Sequence, residues 1–382
     1  MNNTLFKYFV YSTYYYLLTK IVIQFGCNYK VEAVKSNDIR NYLGTRTPYR
    51  LKYNKDDSKI KFANCKDTSI WMLVRHGTRL PSAKDIVGMN NELKDLKYEI
   101  LLKNSDNKGQ LTKVQLQHFQ NWSSDVLLEQ EKYLTIEGQD EMILLAERMQ
   151  KRFPNAIKSK YSNKTHKFRY TATQRAQQSA RYFTVGLFDK KGSQNVIFEP
   201  AQKIDTTLRF YKHCDKWQKQ VKKNPDTYKE QLLFGKSQEM NETIQSVSKK
   251  LGLDRDLTLE TVVLIYKICG YETSWQKYTM SPWCYGFDEK SIRVLEYYHD
   301  LKHYWLDGYG HNFTQRISCM LLKNMFNTFR CKDGDKLLTL HQERIIKLPM
   351  CEEELCPLPH IREYFHDSIE NCEYNGMCTL DV

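Results

Sequence analysis

The chain has 382 residues, of which 41% are hydrophobic and 27% are charged, and this balance excludes an intrinsically disordered protein. The length suits two domains, or one large core with an insertion. Lysine and arginine outnumber aspartate and glutamate by 58 to 45, which favours anionic partners such as phosphorylated metabolites, nucleic acids or anionic membranes. Because the basic residues form no dense block, the sequence indicates no nucleic-acid-binding arm, and an ordinary basic surface is the alternative.

The N-terminal stretch, residues 1–26, is apolar and rich in aromatic residues, and Lys7 and Lys20 interrupt it. Neither apolar run reaches about 18 residues, so the stretch resembles an irregular signal peptide more than a transmembrane helix. A buried N-terminal helix is the alternative. We therefore expect a protein of the secretory pathway, located in the endoplasmic reticulum lumen, outside the cell or at the cell membrane.

Cysteines and glycosylation sequons also favour export. The chain has 11 cysteines, many for a cytosolic protein, and no two CxxC pairs that would indicate zinc. The C-terminal cysteines lie in loop-like sequence, which suits disulfides in an oxidising compartment: Cys351, Cys356, Cys372 and Cys378. Sequons for N-glycosylation stand at Asn121, Asn163, Asn241 and Asn312.

The predicted elements begin with short strands that alternate with helices. In chain order they are a buried strand at 69–74, a helix at 134–154, a strand that ends near 171, a helix from about 173, a mostly helical block at 204–330 and a late strand within 335–349. The first helix presents an apolar face made of Met142, Leu145, Ala146 and Met149.

This order predicts an α/β fold with a mostly parallel central sheet flanked by helices, and with a mainly helical inserted domain. The predicted α/β core comprises residues 40–203 and 331–382, and the insertion comprises residues 204–330. Ligands of such sheets bind beyond the carboxyl ends of the strands. Two arginine-containing segments follow predicted strands and are therefore expected at that edge.

The first of these segments lies in "WMLVRHGTRLPS", residues 71–82. Arg75 and Arg79 each offer a planar fork of N–H donors that suits a phosphate group. Gly77 allows a sharp turn and a close approach of the backbone to a ligand. His76 lies between the arginines and can attack phosphorus to form a phosphohistidine, while the guanidinium groups stabilise the transferring group. This chemistry needs no metal and no cofactor.

The second segment places Arg175 in the first turn of the predicted helix from about 173. Free backbone N–H groups and the helix dipole favour an anion at such a position. A third guanidinium there would complete a phosphate pocket, whereas an ordinary surface arginine is the alternative.

Several segments resemble the histidine phosphatase superfamily, in its histidine acid phosphatase branch, and within it the multiple inositol polyphosphate phosphatases. They are "YLGTRTPYR" at 42–50, "VRHGTRLPSAKDI" at 74–86, "LTIEGQDEM" at 134–142, "TATQRAQQSARYFTVGLF" at 171–188, "LRFYKHCDKW" at 208–217 and the segment 283–310. The resemblance runs from about residue 40 to 330.

The resemblance implies a phosphomonoesterase that acts on inositol hexakisphosphate, on lower inositol phosphates and on 2,3-bisphosphoglycerate. By position, His76 would be the nucleophile, Arg75, Arg79 and Arg175 would bind the scissile phosphate, and Lys84 would contact a neighbouring phosphate. The implied partner is thus a small phosphorylated substrate rather than a nucleic acid. Membrane association stays open, and the sequence does not indicate an oligomeric state.

The acid that protonates the leaving group is harder to place. This family carries a late His-x-Glu or His-x-Asp element, and His341 and Glu343 in "LLTLHQERIIKLP" have that spacing. However, Leu348 and Pro349 and a cysteine-rich tail follow at once, where the family has a further helix. We therefore expect the acid segment to be absent between about residues 330 and 336, with His341 and Glu343 as the alternative pair. Without an acid, turnover would fall about 100- to 10,000-fold.

Three hypotheses follow from these observations. The first is a phosphatase of inositol polyphosphates, and the second is a phosphate-binding relative with weak or no activity. The third is a basic glycoprotein that binds anionic polymers or membrane surfaces, for which binding would depend steeply on salt.

Overall fold

The computed structural model describes residues 19–23, 38–105, 108–329 and 334–380. The strands are β1 Thr19–Ile23, β2 Ile70–Val74, β3 Lys336–His341, β4 Arg344–Ile346 and β5 Leu355–Pro357. The helices are α1 Ala83–Asn90, α2 Glu92–Ser105, α3 Lys113–Asn121, α4 Ile136–Arg152, α5 Gln174–Ser193, α6 Asp215–Trp217, α7 Lys229–Phe234, α8 Gln238–Leu251, α9 Leu259–Trp275, α10 Glu289–Leu306, α11 Asn312–Arg316, α12 Cys319–Thr328, α13 Leu358–Tyr364, α14 His366–Glu370 and α15 Tyr374–Cys378.

The strands form one sheet in the order β2-β1-β3-β4, with β5 paired to β3. An α/β fold with a large helical part is thus confirmed, but every hydrogen-bonded strand pair of this sheet is antiparallel. The physical reason is that β1 lies between β2 and β3, which run in the same direction, and is antiparallel to both. Its residue Lys20 is opposite Leu73 on one side and His341 on the other.

Two other strand predictions differ in detail from the structure. The strand predicted to end near Thr171 is reduced to an isolated bridge between Phe168 and Phe198. The late strand is instead a hairpin, in which His341 pairs with Arg344 across a two-residue turn. Of the predicted signal peptide at 1–26, only β1 is among the described residues, so that prediction is not tested.

The two helices next to the sheet begin where their sequences predict. The Thr135 side chain accepts a hydrogen bond from the Gly138 backbone at the start of α4, and Thr173 caps α5 in the same way. The predicted apolar face of α4 is buried in a core that also includes residues of β3: Met142, Leu145, Ala146, Met149, Leu338 and Leu340.

A second core holds the helical part together. It joins residues of α1, α2 and α3 to residues of α8, α9 and α10, and Trp283 is among its fully buried side chains. The helical core therefore includes residues 83–122, which the sequence had assigned to the α/β part. The domain limits drawn from the sequence stay a prediction.

The cysteine pattern predicted disulfides, and those of the described residues include the links Cys214–Cys378 and Cys319–Cys372 between the C-terminal tail and the rest of the fold. The pairs are Cys214–Cys378, Cys269–Cys284, Cys319–Cys372 and Cys351–Cys356. Cys27 and Cys331 lie outside the described residues, and Cys65 is an exposed free thiol. Among the helices that the structure describes, none has the length and apolarity needed to cross a bilayer.

We expect the pair Cys214–Cys378 to stabilise the fold strongly, because its cysteines are 164 residues apart. Replacing both by serine should lower the free energy of unfolding by about 2–5 kcal/mol, since a cross-link that closes a long loop restricts the unfolded chain most. Urea unfolding followed by circular dichroism measures the loss. The double serine variant of Cys351 and Cys356, which are 5 residues apart, is the control. Equal losses in both variants would contradict the loop argument.

Candidate active site

The loop after β2 holds a histidine whose ring is fixed by its own backbone. The His76 Nδ1 atom lies 2.8 Å from the carbonyl oxygen of Gly77, so Nδ1–H donates to that oxygen and Nε2 keeps its lone pair. Burial, then the charge of Arg75 and the smaller contributions of Arg175 and Arg79 hold the pKa of His76 well below its ordinary value of 6.5. The ring is therefore neutral, and hence nucleophilic, in mildly acidic solution.

The three arginines predicted to surround His76 come from two segments, the loop after β2 and the start of α5. Arg75 donates a hydrogen bond of 3.0 Å to the Thr45 carbonyl, and Arg79 donates one of 2.8 Å to the Leu80 carbonyl. Arg175 lies in the first turn of α5. Their charges act on His76 together. We call His76 and these arginines the phosphate clamp.

The loop that carries the clamp packs directly against the start of α4. A Cβ atom on Gly77 would lie 2.1 Å from the Gly138 carbonyl oxygen, and one on Gly138 would lie 2.2 Å from the Thr78 carbonyl oxygen. Two backbones approach this closely only where both residues lack a side chain. The pair Gly77 and Gly138 therefore sets the position of the loop that holds His76.

Side chains of α4 and α5 accept hydrogen bonds from the same loop. Glu141 accepts from the Thr78 backbone N–H at 2.6 Å and from the Thr78 hydroxyl at 2.9 Å. The Gly77 backbone N–H donates to the Ser179 hydroxyl at 3.1 Å. Burial raises the pKa of Glu141 to about 7, against the lowering effect of the hydrogen bonds from Thr78. We infer that Glu141 and Ser179 are positioning residues.

We expect Gly138→Ala to misplace the clamp, because the added methyl group would overlap the Thr78 carbonyl. The free energy of unfolding should fall by about 1–3 kcal/mol, and any phosphatase activity by about 10- to 100-fold. Thermal unfolding and phosphate release measure the two effects. Gly376→Ala is the control, since its nearest neighbour would be 3.7 Å from the new Cβ atom. Full activity in the Gly138 variant would contradict the role given to this contact.

Glu343, the alternative candidate for the proton donor, lies in an ion-pair network instead. Its side chain is 1% exposed, and it accepts hydrogen bonds from Tyr49 at 2.8 Å, from Arg148 and from Arg152. Burial opposes its ionisation, but the hydrogen bonds and charges of Arg148 and Arg152 outweigh burial and lower its pKa. A carboxylate held ionised by two guanidinium groups is a poor proton donor. These contacts favour a structural ion-pair role for Glu343, and its assignment as the acid stays a prediction.

The geometry of the turn explains why Glu343 lies in this ion-pair network. Gln342 and Glu343 have φ angles of 48° and 64°, and they form the tight turn that joins β3 to β4. Glu343 thus lies in the turn of a hairpin, where its side chain contacts Arg148 and Arg152 of α4. His341 ends β3 at the edge of the sheet where β2 also ends, one strand away from Leu73. Its predicted contact with phosphate stays a prediction.

The remaining predictions concern Lys84 and the acid segment. Lys84 is exposed in the first turn of α1, and its contact with a second phosphate stays a prediction. The predicted gap in the acid segment falls between α12, which ends at Thr328, and β3, which begins at Lys336. Residues 330–333 of this connection lie outside the described residues.

Sequence reasoning missed the positioning roles of Gly138, Glu141 and Ser179, for which the capped helix start at Thr135 was the one available signal.

Comparisons with known proteins identify relatives of this chain. The model of the histidine phosphatase superfamily (branch 2) matches residues 68–337. The chain is 28% identical over 293 residues to a protein of Drosophila melanogaster named multiple inositol polyphosphate phosphatase 1, with 74% of this chain and 61% of that protein covered. It is 27% identical over 352 residues to the Homo sapiens protein of the same name, with 87% and 68% covered. The chain therefore spans about 61% of the length of the fly relative.

A solved structure shows the same fold. The crystal structure of the phytase from D. castellii superposes with a TM-score of 0.65 and 14% identity, and the match covers 89% of this chain and 88% of the phytase chain. The family model covers most of the residues that build the site, including the phosphate clamp and its supporting helices. The chain belongs to the histidine phosphatase superfamily (branch 2).

Proposed function

We propose that this protein is a phosphomonoesterase that hydrolyses inositol polyphosphates, namely inositol hexakisphosphate and lower forms, and also 2,3-bisphosphoglycerate. The observation that carries the proposal is the phosphate clamp: a neutral His76 with Nε2 available, surrounded by Arg75, Arg79 and Arg175. The names of the relatives supply the substrate class. The excess of 13 positive charges is compatible with a polyanionic substrate.

The reaction would proceed in two displacements. His76 Nε2 attacks phosphorus, the N–P bond forms, and the bond to the alcohol oxygen of the substrate breaks. The arginines stabilise the charge on the phosphoryl oxygens. Water then attacks the phosphohistidine, which releases inorganic phosphate and restores the neutral imidazole. The departing alcohol oxygen takes up one proton in the first step, and water loses one in the second.

A specific observation favours a second candidate, a phosphate-binding relative with weak or no activity. Glu343, the acid with the spacing of the family element, forms ion pairs with Arg148 and Arg152. If no other group supplies the proton, water must do so, and the first displacement slows by about 100- to 10,000-fold. Both candidates bind phosphate at the same clamp, so turnover separates them.

Release of inorganic phosphate from inositol hexakisphosphate by the purified protein tests the proposal. We expect each protein molecule to release many phosphates. After a brief reaction with a radiolabelled phosphate ester, the protein should carry a label that acid removes, as expected of a phosphohistidine. Stoichiometric binding of the substrate with no release above the uncatalysed rate would favour the second candidate. Indifference to the substrate would reject both.

We also propose that the protein acts in the secretory pathway, in the endoplasmic reticulum lumen, outside the cell or at the cell membrane. The disulfides of the described residues support an oxidising compartment. The sequon residues Asn121, Asn163, Asn241 and Asn312 are all exposed, as glycan attachment requires. A mass shift on treatment of the protein from eukaryotic cells with an N-glycosidase checks this location.

A further inference from the structure

Arg50 contacts both cores of the protein. It belongs to a short 3-10 helix at Tyr49–Leu51, before β2. Its guanidinium group lies between the C-terminal end of α9 and the first turn of α4, and its side chain is 20% exposed. Because α9 is part of the helical core and α4 is part of the core next to the sheet, one side chain joins the two.

On one side, Arg50 caps the end of α9. Its Nη2 atom donates to the Thr273 carbonyl at 2.6 Å and to the Gln276 carbonyl at 3.1 Å. Its Nη1 atom donates to the Ser274 carbonyl at 2.9 Å. The last carbonyl groups of a helix have no N–H partner within the helix, and the negative end of the helix dipole favours a cation there. Arg50 therefore stabilises the end of α9 from 224 residues before Ser274.

On the other side, Arg50 pairs with the start of α4. Its Nη1 atom lies 3.3 Å from Glu137 Oε1, and the Glu137 side chain is 7% exposed. Glu137 lies in the first turn of α4, where the positive end of the helix dipole favours a carboxylate. Negative and positive charge thus alternate from the end of α9 through Arg50 and Glu137 to the start of α4, so each group attracts the next.

Through α4, Arg50 is connected to the loop that carries His76. Gly138, the residue of α4 that packs against this loop, directly follows the carboxylate that Arg50 binds. The charge of Arg50 also acts on Glu141, which accepts the hydrogen bonds of Thr78. Burial raises the pKa of Glu141, whereas the hydrogen bonds from Thr78 and the charge of Arg50 lower it. Arg50 therefore supports both contacts by which α4 holds the loop.

Through α9, Arg50 is connected to an arginine of the clamp. Tyr271 lies two residues before Thr273, whose carbonyl Arg50 binds. The guanidinium carbon of Arg79 lies 5.5 Å from the centre of the Tyr271 ring, and Tyr271 is buried. A displaced end of α9 would therefore move a side chain that packs against the clamp.

We propose that Arg50 is a positioning residue for the phosphate clamp. By capping α9 and pairing with Glu137, it holds the end of α9 against the start of α4, and this contact fixes His76 and Arg79 relative to each other. Attack on phosphorus depends on ångström-scale geometry, whereas charge attraction between arginines and phosphate changes little over such distances. The effect should therefore appear in the chemical step rather than in binding. The proposal rests on the proposed function, because it presumes that the clamp transfers phosphate.

Single-turnover kinetics test this role. Rapid mixing of excess protein with inositol hexakisphosphate measures the rate of the chemical step, and calorimetry on proteins that also carry His76→Ala measures the Kd. We expect Arg50→Met to lower the rate about 10- to 100-fold and to change the Kd by less than about threefold. Arg50→Lys keeps the charge but lacks the planar fork that reaches several carbonyls, so its rate should stay about fivefold or more below that of the parent.

A double-variant cycle with Glu137 tests whether the link passes through the ion pair. Glu137→Gln should also lower the rate. Arg50→Met combined with Glu137→Gln should be within about twofold of Arg50→Met alone, because both changes break the same link. The combined variant also removes the carboxylate that Arg50→Met leaves buried without its partner, so it keeps the test valid if Arg50→Met alone does not fold.

Asp67→Asn is the matched control. Asp67 is also a buried carboxylate, but it accepts hydrogen bonds from Asn155 and Ala156, beyond the other end of α4. Its replacement should lower the stability of the fold and leave the rate as it is. A parental rate in Arg50→Met would overturn the proposal, and so would an equal loss in Asp67→Asn or losses from Arg50→Met and Glu137→Gln that multiply.

If the parent protein releases no phosphate, the proposed function falls, and magnetic resonance of the His76 ring then decides about Arg50. Isotope-labelled histidine provides the signals, and the spectrum of His76→Ala identifies those of His76 by their loss. We expect the Nδ1 and Nε2 signals of His76 to shift in Arg50→Met and to stay in place in Asp67→Asn. Unshifted signals in Arg50→Met would overturn the positioning role, whatever the activity of the parent.

Discussion

His76→Ala should reduce phosphate release from inositol hexakisphosphate by about a thousandfold or more, since alanine has no atom that can attack phosphorus. Binding of the substrate should survive, because Arg75, Arg79 and Arg175 remain and lose only the histidine between them. The rate with the intact histidine should not fall as the pH drops through 6.5, since the pKa of His76 lies well below that value through burial and the adjacent guanidiniums. Steady-state kinetics across this pH range measure both effects.

His366→Ala is the control for this variant. His366 is a surface histidine whose side chain is 67% exposed, on α14. Its replacement should leave the rate within the error of the assay. Residual activity in the His76 variant close to that of the parent would mean that another group forms the bond to phosphorus, and the proposed mechanism would fall.

Glu343→Gln should destabilise the fold by about 3–5 kcal/mol, which is the cost of leaving buried charges without their partner. Arg152 is 1% exposed, and Arg148 is mostly buried as well, so neither guanidinium gains water in exchange for the lost carboxylate. The amide keeps the shape of the side chain, so the loss reports charge and hydrogen bonding rather than a cavity. Chemical unfolding at neutral pH measures it, with the exposed Glu353→Gln as control.

The pH dependence of stability provides a second test of Glu343. Its pKa in the folded protein lies below its ordinary value of 4.5, because Arg148 and Arg152 outweigh burial. The stabilisation is therefore fully present above the unfolded-state pKa and is lost as the pH falls through the folded-state pKa. The Glu343→Gln variant should lack this acid-sensitive part. A Glu343→Gln variant that keeps the stability of the parent protein but loses activity at high pH differently would support Glu343 as the proton donor.

The network around Glu343 gives a structural reason to prefer the expected absence of the acid segment over the alternative pair His341 and Glu343. His341 and Glu343 have the order expected of an acid element, and a strand does precede them. The sequence does not show that Gln342 and Glu343 both adopt positive φ angles in a hairpin turn. Nor does it show that Arg148 and Arg152, nearly 200 residues earlier, face that turn.

Local patterns were sufficient for the loop and the helices of the site. The apolar run before Arg75 predicted β2, and the caps at Thr135 and Thr173 mark the starts of α4 and α5. These signals are short-range, since a strand ending or a helix cap depends on a few adjacent residues. They also placed Arg175 in the first turn of a helix, where the structure has it.

The sequence by itself determined the composition of the clamp, the apolar face of α4 and the disulfide-forming tail. Only the tertiary structure decided the antiparallel order of the sheet, the ion-pair network of Glu343 and the close contact between Gly77 and Gly138. The physical reason is the distance along the chain between partners: β1 pairs with a strand more than 300 residues later, and Glu343 pairs with arginines nearly 200 residues earlier. Such contacts depend on how whole elements pack, and no local pattern of residues specifies them.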